Sequence, residues 1–215
     1  MKQNIRTLLF DLDGTLINTN DLIIESFKHT FAHYGLNFSL EEIITFNGPP
    51  LQQTFQKIGG SLADEMVVTY REHNFRFHNE YVKPFPHVLE TIQTLEDQGF
   101  ELGIVTTKMR KAVELGLEIT DLKPFFKTII TLNDVTHAKP HPEPVLKAMQ
   151  ELQGEPQSTL MIGDNSHDIE AGHNAGVLTA GVAWAQRGET YLKQYKPTYM
   201  LGDMTELLDI VLEKQ

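Results

Sequence analysis

Apolar segments of four to six residues recur along the chain, and stretches with helical periodicity separate them. The six segments are residues 5–10, 100–105, 128–132, 159–162, 178–182 and 198–201. Apolar strands that alternate with helices are typical of β-α-β units, whose parallel sheet is covered by helices on both faces. A last amphipathic helix is expected after Asp203, and Gly99 and Gly176 are placed to end two earlier helices. The pattern therefore predicts an α/β fold around a parallel sheet.

Residues 18–83 interrupt this alternation. Leu22, Phe27 and Phe31 belong to a set of apolar residues at helical spacing. Ser39 and Ser61 each stand three residues before an acid, as in a helix capping box. No convincing strand occurs here, so we predict an insertion of four helices that returns through a linker at residues 83–86. The predicted domains are a core of residues 1–17 and 84–215 and a helical domain of residues 18–83.

The composition is ordinary for a globular protein, with 40% hydrophobic and 22% charged residues. No apolar run approaches the ~20 residues that span a bilayer, and residues 1–4 lead into a strand that ends in acids, unlike a signal peptide. Absence of cysteine excludes disulfides and thiolate chemistry, so a cytoplasmic protein is expected. The net charge of −11 disfavours nucleic acid and membrane surfaces as partners, and no obligate protein partner is inferred.

The first apolar segment runs directly into Asp11 and Asp13, followed by Gly14 and Thr15. Side chains two residues apart on a strand point to the same side, so both carboxylates are expected to face one place. Neighbouring carboxylates without a basic residue between them are electrostatically unfavourable unless a cation joins them. This arrangement predicts a Mg²⁺-dependent active site.

Three further polar signals lie at or near the carboxyl ends of later strands, the edge at which open α/β sheets bind ligands. A hydroxyl at Thr106 can hold a phosphoryl oxygen, although Thr-Thr after a strand is also a common helix cap. Lys139 lies in a proline-rich loop. Its charge is either aimed at a phosphate or a carboxylate from this stiff loop, or it is an ordinary solvated lysine. Asp164 is placed to complete the Mg²⁺ site or to cap a helix, and Asp168 to orient its neighbours.

The loop Gly48-Pro49-Pro50 in the helical insertion is a fourth signal. A rigid turn is its simplest interpretation, and a loop presented to the substrate from above is the alternative.

The order of these signals is specific although each one alone is weak. The chain resembles the haloacid dehalogenase (HAD) superfamily of phosphohydrolases, whose four motifs match Asp11/Asp13, Thr106, Lys139 and Asp164/Asp168. The resemblance implies a HAD-like three-layer α/β/α core with a Rossmann-like sheet, and it makes the helical insertion a C1-type cap.

The resemblance also implies roles for the site residues. Asp11 would be the nucleophile and Asp13 the general acid and base, with an aspartyl-phosphate as intermediate. Mg²⁺ would be held by Asp11, the main-chain carbonyl of Asp13 and Asp164. The expected substrate-binding residues are Thr106, Thr107 and Lys139, and the expected supporting residues are Asp168 and Asn165.

A narrower resemblance is to the bacterial inorganic pyrophosphatases of this superfamily. It rests on residues 14–20, 48–51, 103–108 and 180–184, and it implies pyrophosphate as the substrate. Asn18 replaces the aspartate of many HAD phosphatases, as in the pyrophosphatase-like pattern, and Gly163 replaces an additional acid of phosphoglucomutase-like relatives. Candidate cations for the second phosphate are Lys108, Arg110, Arg71, Arg76 and Lys83.

Two other functions stay open at this point. A phosphatase of a small monoester such as phosphoglycolate would use the same core and chemistry. A phosphoacceptor signalling domain also combines acids, Thr and Lys, but in a different order along the chain and without a long helical insertion.

Overall fold

The computed structural model describes residues 4–212 and contains one six-stranded sheet and one two-stranded ribbon. The strands are β1 (Thr7–Phe10), β2 (Ile17–Asn18), β3 (Lys83–Pro84), β4 (Glu101–Val105), β5 (Thr128–Ile130), β6 (Thr159–Gly163), β7 (Leu178–Val182) and β8 (Tyr199–Leu201). The large sheet has the order β5-β4-β1-β6-β7-β8, and all its neighbouring strands are parallel. The predicted parallel sheet is confirmed, and each of its strands falls on a predicted segment.

Four α-helices lie between β2 and β3, as the insertion predicts. They are α1 (Asn20–His33), α2 (Leu40–Thr45), α3 (Leu51–Gly59) and α4 (Ala63–Tyr81). Their apolar faces form a cluster of their own around Phe27, Phe55 and Met66, separate from the cores beneath the sheet. This cluster fits the predicted division into a core and a helical domain, and the division itself stays a prediction. Residues 1–3 and 213–215 of the predicted core domain lie outside the described residues.

The two predicted capping boxes have different outcomes. Ser39 accepts a hydrogen bond from the N–H of Glu42, whose carboxylate accepts one from the N–H of Ser39, so this box is confirmed. The box at Ser61 is wrong, because residues Gly60–Leu62 form a 3-10 turn and α4 starts after it. Asp64 accepts instead from the side-chain amide of Gln52, 2.6 Å away.

A short antiparallel ribbon joins the helical segment to the sheet. Ile17 pairs with Pro84 and Asn18 with Lys83. The chain therefore enters the helical segment and returns from it at adjacent points. The return linker predicted at residues 83–86 therefore begins as a strand. Two-residue strands carry no periodic pattern, which is why the ribbon was not predicted.

Six more helices follow and cover the sheet. They are α5 (Val88–Asp97), α6 (Arg110–Ile119), α7 (Glu143–Glu151), α8 (Ser166–Ala175), α9 (Glu189–Lys193) and α10 (Glu206–Val211). Leu8 and Phe10 point into one core, to which α5 and α6 contribute, whereas Leu9 points into a second core beside α7. Helices on both faces confirm the three-layer α/β/α architecture. Within residues 4–212, no helix has the length and apolar character needed to cross a bilayer.

Candidate active site

The ends of three neighbouring strands define the candidate site. Asp11 follows β1, Thr106 follows β4 and Asp164 follows β6, and β1 lies between the other two strands. Parallel strands present their carboxyl ends at one edge of a sheet, so these three side chains meet there. Lys139 reaches the same edge from the loop before α7. All four residues are buried, with exposed fractions between 4% and 7%.

Lys139 is the central cation of the site. Its Nζ donates hydrogen bonds to Asp11 Oδ1 at 2.7 Å, to Asp168 Oδ1 at 2.6 Å and to the Val105 carbonyl at 2.7 Å. Burial alone would lower the pKa of the Lys139 ammonium, but Asp11 and Asp168 outweigh it and raise that pKa. The lysine is therefore a permanently charged group with all three of its protons committed.

Asp11, Asp164 and Asp168 form a cluster of three buried carboxylates whose nearest oxygens lie within 4.8 Å of one another. Burial is the main cause that raises the pKa of Asp11 to about 7, against the lowering effect of Lys139. Burial, together with the charges of Asp11 and Asp168, also raises the pKa of Asp164 well above its usual range. One ammonium thus faces three acids, and the cluster is short of positive charge.

The donor set fits a hard divalent cation. Asp168 is occupied by Lys139 and by the backbone N–H of Asn165, which its Oδ2 accepts at 2.9 Å. Among residues 4–212, Asp11 Oδ2 and both oxygens of Asp164 have no such partner, and oxygen ligands of this kind suit Mg²⁺. Asp168 and Asn165 also form the capping box of α8, so the start of that helix holds the supporting acid in place.

Two glycines allow the acids to approach. Gly14 has a φ of +81°, and a Cβ built on it would lie 2.3 Å from Asp164 Oδ2. Only glycine adopts this conformation readily and leaves the space for the carboxylate. A Cβ on Gly163 would likewise lie 2.3 Å from side-chain atoms of Asp168, so Asp168 occupies the room that an additional acid at 163 would need.

Asp13 is paired with a cation that was predicted for another purpose. Its Oδ1 accepts a hydrogen bond from Lys108 Nζ at 2.6 Å, and both side chains are largely buried. Lys108 is one of the candidates for binding the second phosphate, and its contact with Asp13 was not anticipated. The signal available in the sequence was position alone: Lys108 follows β4 by three residues and so lies at the same sheet edge.

The two threonines after β4 have different partners. Thr106 Oγ1 accepts the N–H of Lys108 at 3.2 Å, and no described hydrogen bond uses its own proton. Thr107 Oγ1 donates to the Gly48 carbonyl at 3.1 Å. On the other side, the amide of Asn165 donates to the Asn47 carbonyl at 3.3 Å. The loop at residues 47–50 of the helical segment is therefore hydrogen-bonded to residues on both sides of the site.

A cleft of about 310 Å³ lies between the sheet edge and the helical segment. Its polar floor holds the carboxylates and Lys139, and its wall from the helical segment is mainly apolar, with Ile23, Phe27 and Phe75. Two of the predicted cations, Lys108 and Arg71, line it.

Three other predicted cations are not among the described lining residues. Arg110 bonds to Asp134 at 2.6 Å and to the Ile129 carbonyl at 3.0 Å, Arg76 lies over the ring of Phe77, and Lys83 belongs to β3. Lys111 of α6 lines the cleft and was not predicted.

Some known proteins are similar to this chain in sequence, and some solved structures are similar to it in fold. Proteins named Pyrophosphatase PpaX from Oceanobacillus iheyensis and Anoxybacillus flavithermus are each 56% identical to this chain, over 97% of its length and 97% of theirs. The structure of a haloacid dehalogenase-like family hydrolase from Streptococcus pneumoniae has a TM-score of 0.85 and 26% identity, over 96% of this chain and 98% of that one.

The model of one protein family matches most of the chain. This family is described as haloacid dehalogenase-like hydrolase, and the match covers residues 8–182, from β1 to the end of β7. The matched stretch contains every strand end that supplies a residue to the carboxylate cluster. The chain therefore belongs to the haloacid dehalogenase-like hydrolases.

Proposed function

We propose that the chain is a Mg²⁺-dependent phosphohydrolase that splits inorganic pyrophosphate into two phosphates through an aspartyl-phosphate on Asp11. The choice of substrate is carried by one observation, the 56% identity over nearly the whole chain to proteins named Pyrophosphatase PpaX. The mechanism is supported by the carboxylate cluster around Lys139.

Asp11, Asp164 and the main-chain carbonyl of Asp13 would hold the Mg²⁺ ion. When bound, the ion would neutralise negative charge where the carboxylate and the phosphate meet. The shortage of positive charge around Asp11 and Asp164 supports this assignment.

In the first step, a carboxylate oxygen of Asp11 attacks one phosphorus of pyrophosphate. A bond forms between them, and the bond from that phosphorus to the bridging oxygen breaks. Asp13, protonated from solvent once the substrate has drawn Lys108 away from it, gives this proton to the leaving phosphate. Lys139 fixes the orientation of Asp11, and its charge acts on the transferred phosphoryl group without a hydrogen bond of its own. Thr106 donates its hydroxyl proton to a phosphoryl oxygen.

In the second step, Asp13 takes a proton from a water molecule whose oxygen attacks the same phosphorus. The bond between phosphorus and Asp11 breaks, the second phosphate leaves, and both aspartates return to their starting states.

Lys108 and Arg71 are the cations assigned to the second phosphate, because both line the cleft. Lys108 would exchange its bond with Asp13 for a bond with a phosphate oxygen. The exchange leaves the Asp13 carboxyl free for proton transfer at the time when the substrate is in place. Thr107 is assigned to the cleft wall, where its hydroxyl holds the loop of the helical segment.

A small phosphate monoester is the second candidate substrate. The apolar side chains that line the cleft offer no hydrogen bonds to a second phosphate but would accommodate an organic group. Phosphoglycolate is the representative of this class, and the assay below separates it from pyrophosphate.

The decisive experiment measures phosphate release from pyrophosphate, phosphoglycolate and an aryl phosphate, with Mg²⁺ and with a chelator. We expect kcat/KM to be highest for pyrophosphate by at least about tenfold, and turnover to be lost with the chelator. Higher kcat/KM for phosphoglycolate would overturn the substrate but keep the mechanism. A phosphorylated protein that releases phosphate only slowly would instead indicate a phosphoacceptor domain.

A further inference from the structure

The loop that carries Lys139 has a second cluster of ligand-type side chains on its solvent side. His137 and His141 flank Lys139, and Glu143 is the first residue of α7. The side chains of His137 and His141 are 61% and 49% exposed, whereas Lys139 is buried against Asp11. We propose that these three residues bind a divalent transition-metal ion of the Zn²⁺ type, distinct from the Mg²⁺ of the catalytic site.

The geometry is close to that of a three-ligand metal site. One ligand atom from each residue can be chosen so that all three lie within 4.8 Å of one another. His137 Nδ1 lies 2.9 Å and His141 Nδ1 lies 4.0 Å from Glu143 Oε2, and the two imidazole rings are 4.5 Å apart. Tetrahedral zinc ligands at their usual bond lengths are about 3.3 Å from one another. Only small side-chain movements are needed to reach that spacing.

The loop backbone already orients the ligands. The Glu143 carboxylate accepts the N–H groups of Thr136 at 2.7 Å and His137 at 2.9 Å. The bond from the backbone of Thr136 is the first of the causes that lower the pKa of Glu143. His141 Nδ1 accepts the N–H of Glu143 at 3.2 Å, so this nitrogen carries no proton, and a metal ion would replace that N–H as the partner of its lone pair. The backbone bonds to the Glu143 carboxylate fix that ligand before the metal arrives.

The donor types select the metal. Two imidazoles and one carboxylate suit Zn²⁺ and its neighbours, whereas Mg²⁺ prefers an all-oxygen set like that of Asp11 and Asp164. Three protein ligands leave a fourth position for water. A metal ion here would join the residues on both sides of Lys139, and it would stabilise the loop that directs this lysine into the active site.

The test is a Zn²⁺ titration of the full chain, labelled with ¹⁵N, in saturating Mg²⁺ so that the acidic site is occupied. Imidazole ¹H–¹⁵N spectra are recorded for the wild type, His137→Gln, His141→Gln and the control His33→Gln, which alters an exposed histidine of α1. We expect the signals of His137 and His141 to shift at one equivalent. Each of the two loop variants should bind Zn²⁺ at least about tenfold more weakly, and the control should bind as the wild type does.

Thermal unfolding gives a second readout that does not depend on turnover. Zn²⁺ should raise the unfolding temperature of the wild type and of His33→Gln more than that of His141→Gln. The proposal is overturned if other histidines shift at one equivalent, if none shifts, or if both loop variants keep the wild-type affinity.

Discussion

Lys108 Nζ lies 2.6 Å from Asp13 Oδ1, so the residue assigned to proton transfer is held by a cation that also lines the substrate cleft. A phosphate oxygen that binds Lys108 competes directly with Asp13 for its ammonium group. In the proposed mechanism, substrate binding and release of the Asp13 carboxyl are therefore coupled through one side chain.

Replacing Lys108 by methionine tests this coupling. A hydrogen bond between charged groups contributes about 1.5–3 kcal/mol, so Lys108→Met should lower kcat/KM for pyrophosphate by about 10- to 150-fold, mainly through KM. Steady-state kinetics provide the measurement. The matched control is Lys127→Met, because Lys127 pairs with Glu101 in an exposed position near the start of β5. Equal effects of the two substitutions would contradict the assignment.

Asp11→Asn should abolish covalent catalysis while keeping the shape of the side chain. We expect kcat to fall by at least four orders of magnitude, which corresponds to more than about 5 kcal/mol of activation free energy. Acid quenching with labelled pyrophosphate should trap a phosphoryl group on the wild type and none on the variant. A variant that turns over at the wild-type rate, or that is still labelled, is incompatible with Asp11 as nucleophile.

The stabilising effect of Mg²⁺ should depend on pH. Without metal, the pKa of Asp11 is about 7 in the folded chain and near 3.8 when unfolded. Between these values the folded state binds the extra proton, so the contribution of Asp11 to the free energy of unfolding is present below about pH 4 and falls as the pH rises to about 7. Because Mg²⁺ needs the ionised carboxylates, its own contribution should grow over the same interval.

Urea unfolding from about pH 5 to about pH 8, with Mg²⁺ and with a chelator, measures that contribution. At a Mg²⁺ concentration one hundred times Kd it should approach about 2.7 kcal/mol. Subtracting the free energy of unfolding in chelator from that in Mg²⁺ at each pH cancels the contribution of groups that titrate far from the metal. A difference that stays constant with pH would argue against a metal site at Asp11 and Asp164.

Gly14→Ala should damage the site beyond its effect on the backbone. Both Gly14 and Gly35 have positive φ, +81° and +68°, so alanine at either position should cost about 1–2 kcal/mol of stability. A Cβ meets Asp164 only at position 14, whereas nothing lies within 4 Å at position 35. We expect Gly14→Ala alone to weaken Mg²⁺ activation by at least about tenfold, with Gly35→Ala as the control for backbone strain.

The sheet was predictable because its strands are mainly apolar runs, and β1 and β6 at its centre are buried at every position. Strand ends were less predictable. The segment predicted at 128–132 forms a strand only as far as Ile130, because Thr131 and Asp134 cap a 3-10 turn that follows. The box at Ser61 failed for a related reason, since the same sequence pattern fits a short turn in which Asp64 has a tertiary partner.

The candidate site was predictable to the extent that its residues follow strands. A parallel sheet places Asp11, Thr106 and Asp164 at one edge, and they meet there because β1 lies between β4 and β6. The contacts that depend on the helical segment, such as Asn165 to Asn47, could not be predicted, because they depend on how the loop at 47–50 is placed above the sheet. The bond between Lys108 and Asp13 depends on a side-chain conformation that no sequence periodicity reports.

The ribbon of β2 and β3 makes the whole helical segment the loop of a single hairpin. Its ends are adjacent residues of two paired strands, and the free energy of closing a loop rises only with the logarithm of its length. The sheet therefore tolerates a longer, shorter or different segment at this position at little cost to its own stability. Under the proposed function, exchange of this one insertion would change the cleft wall that faces the substrate and would leave the carboxylates and Lys139 at the sheet edge in place.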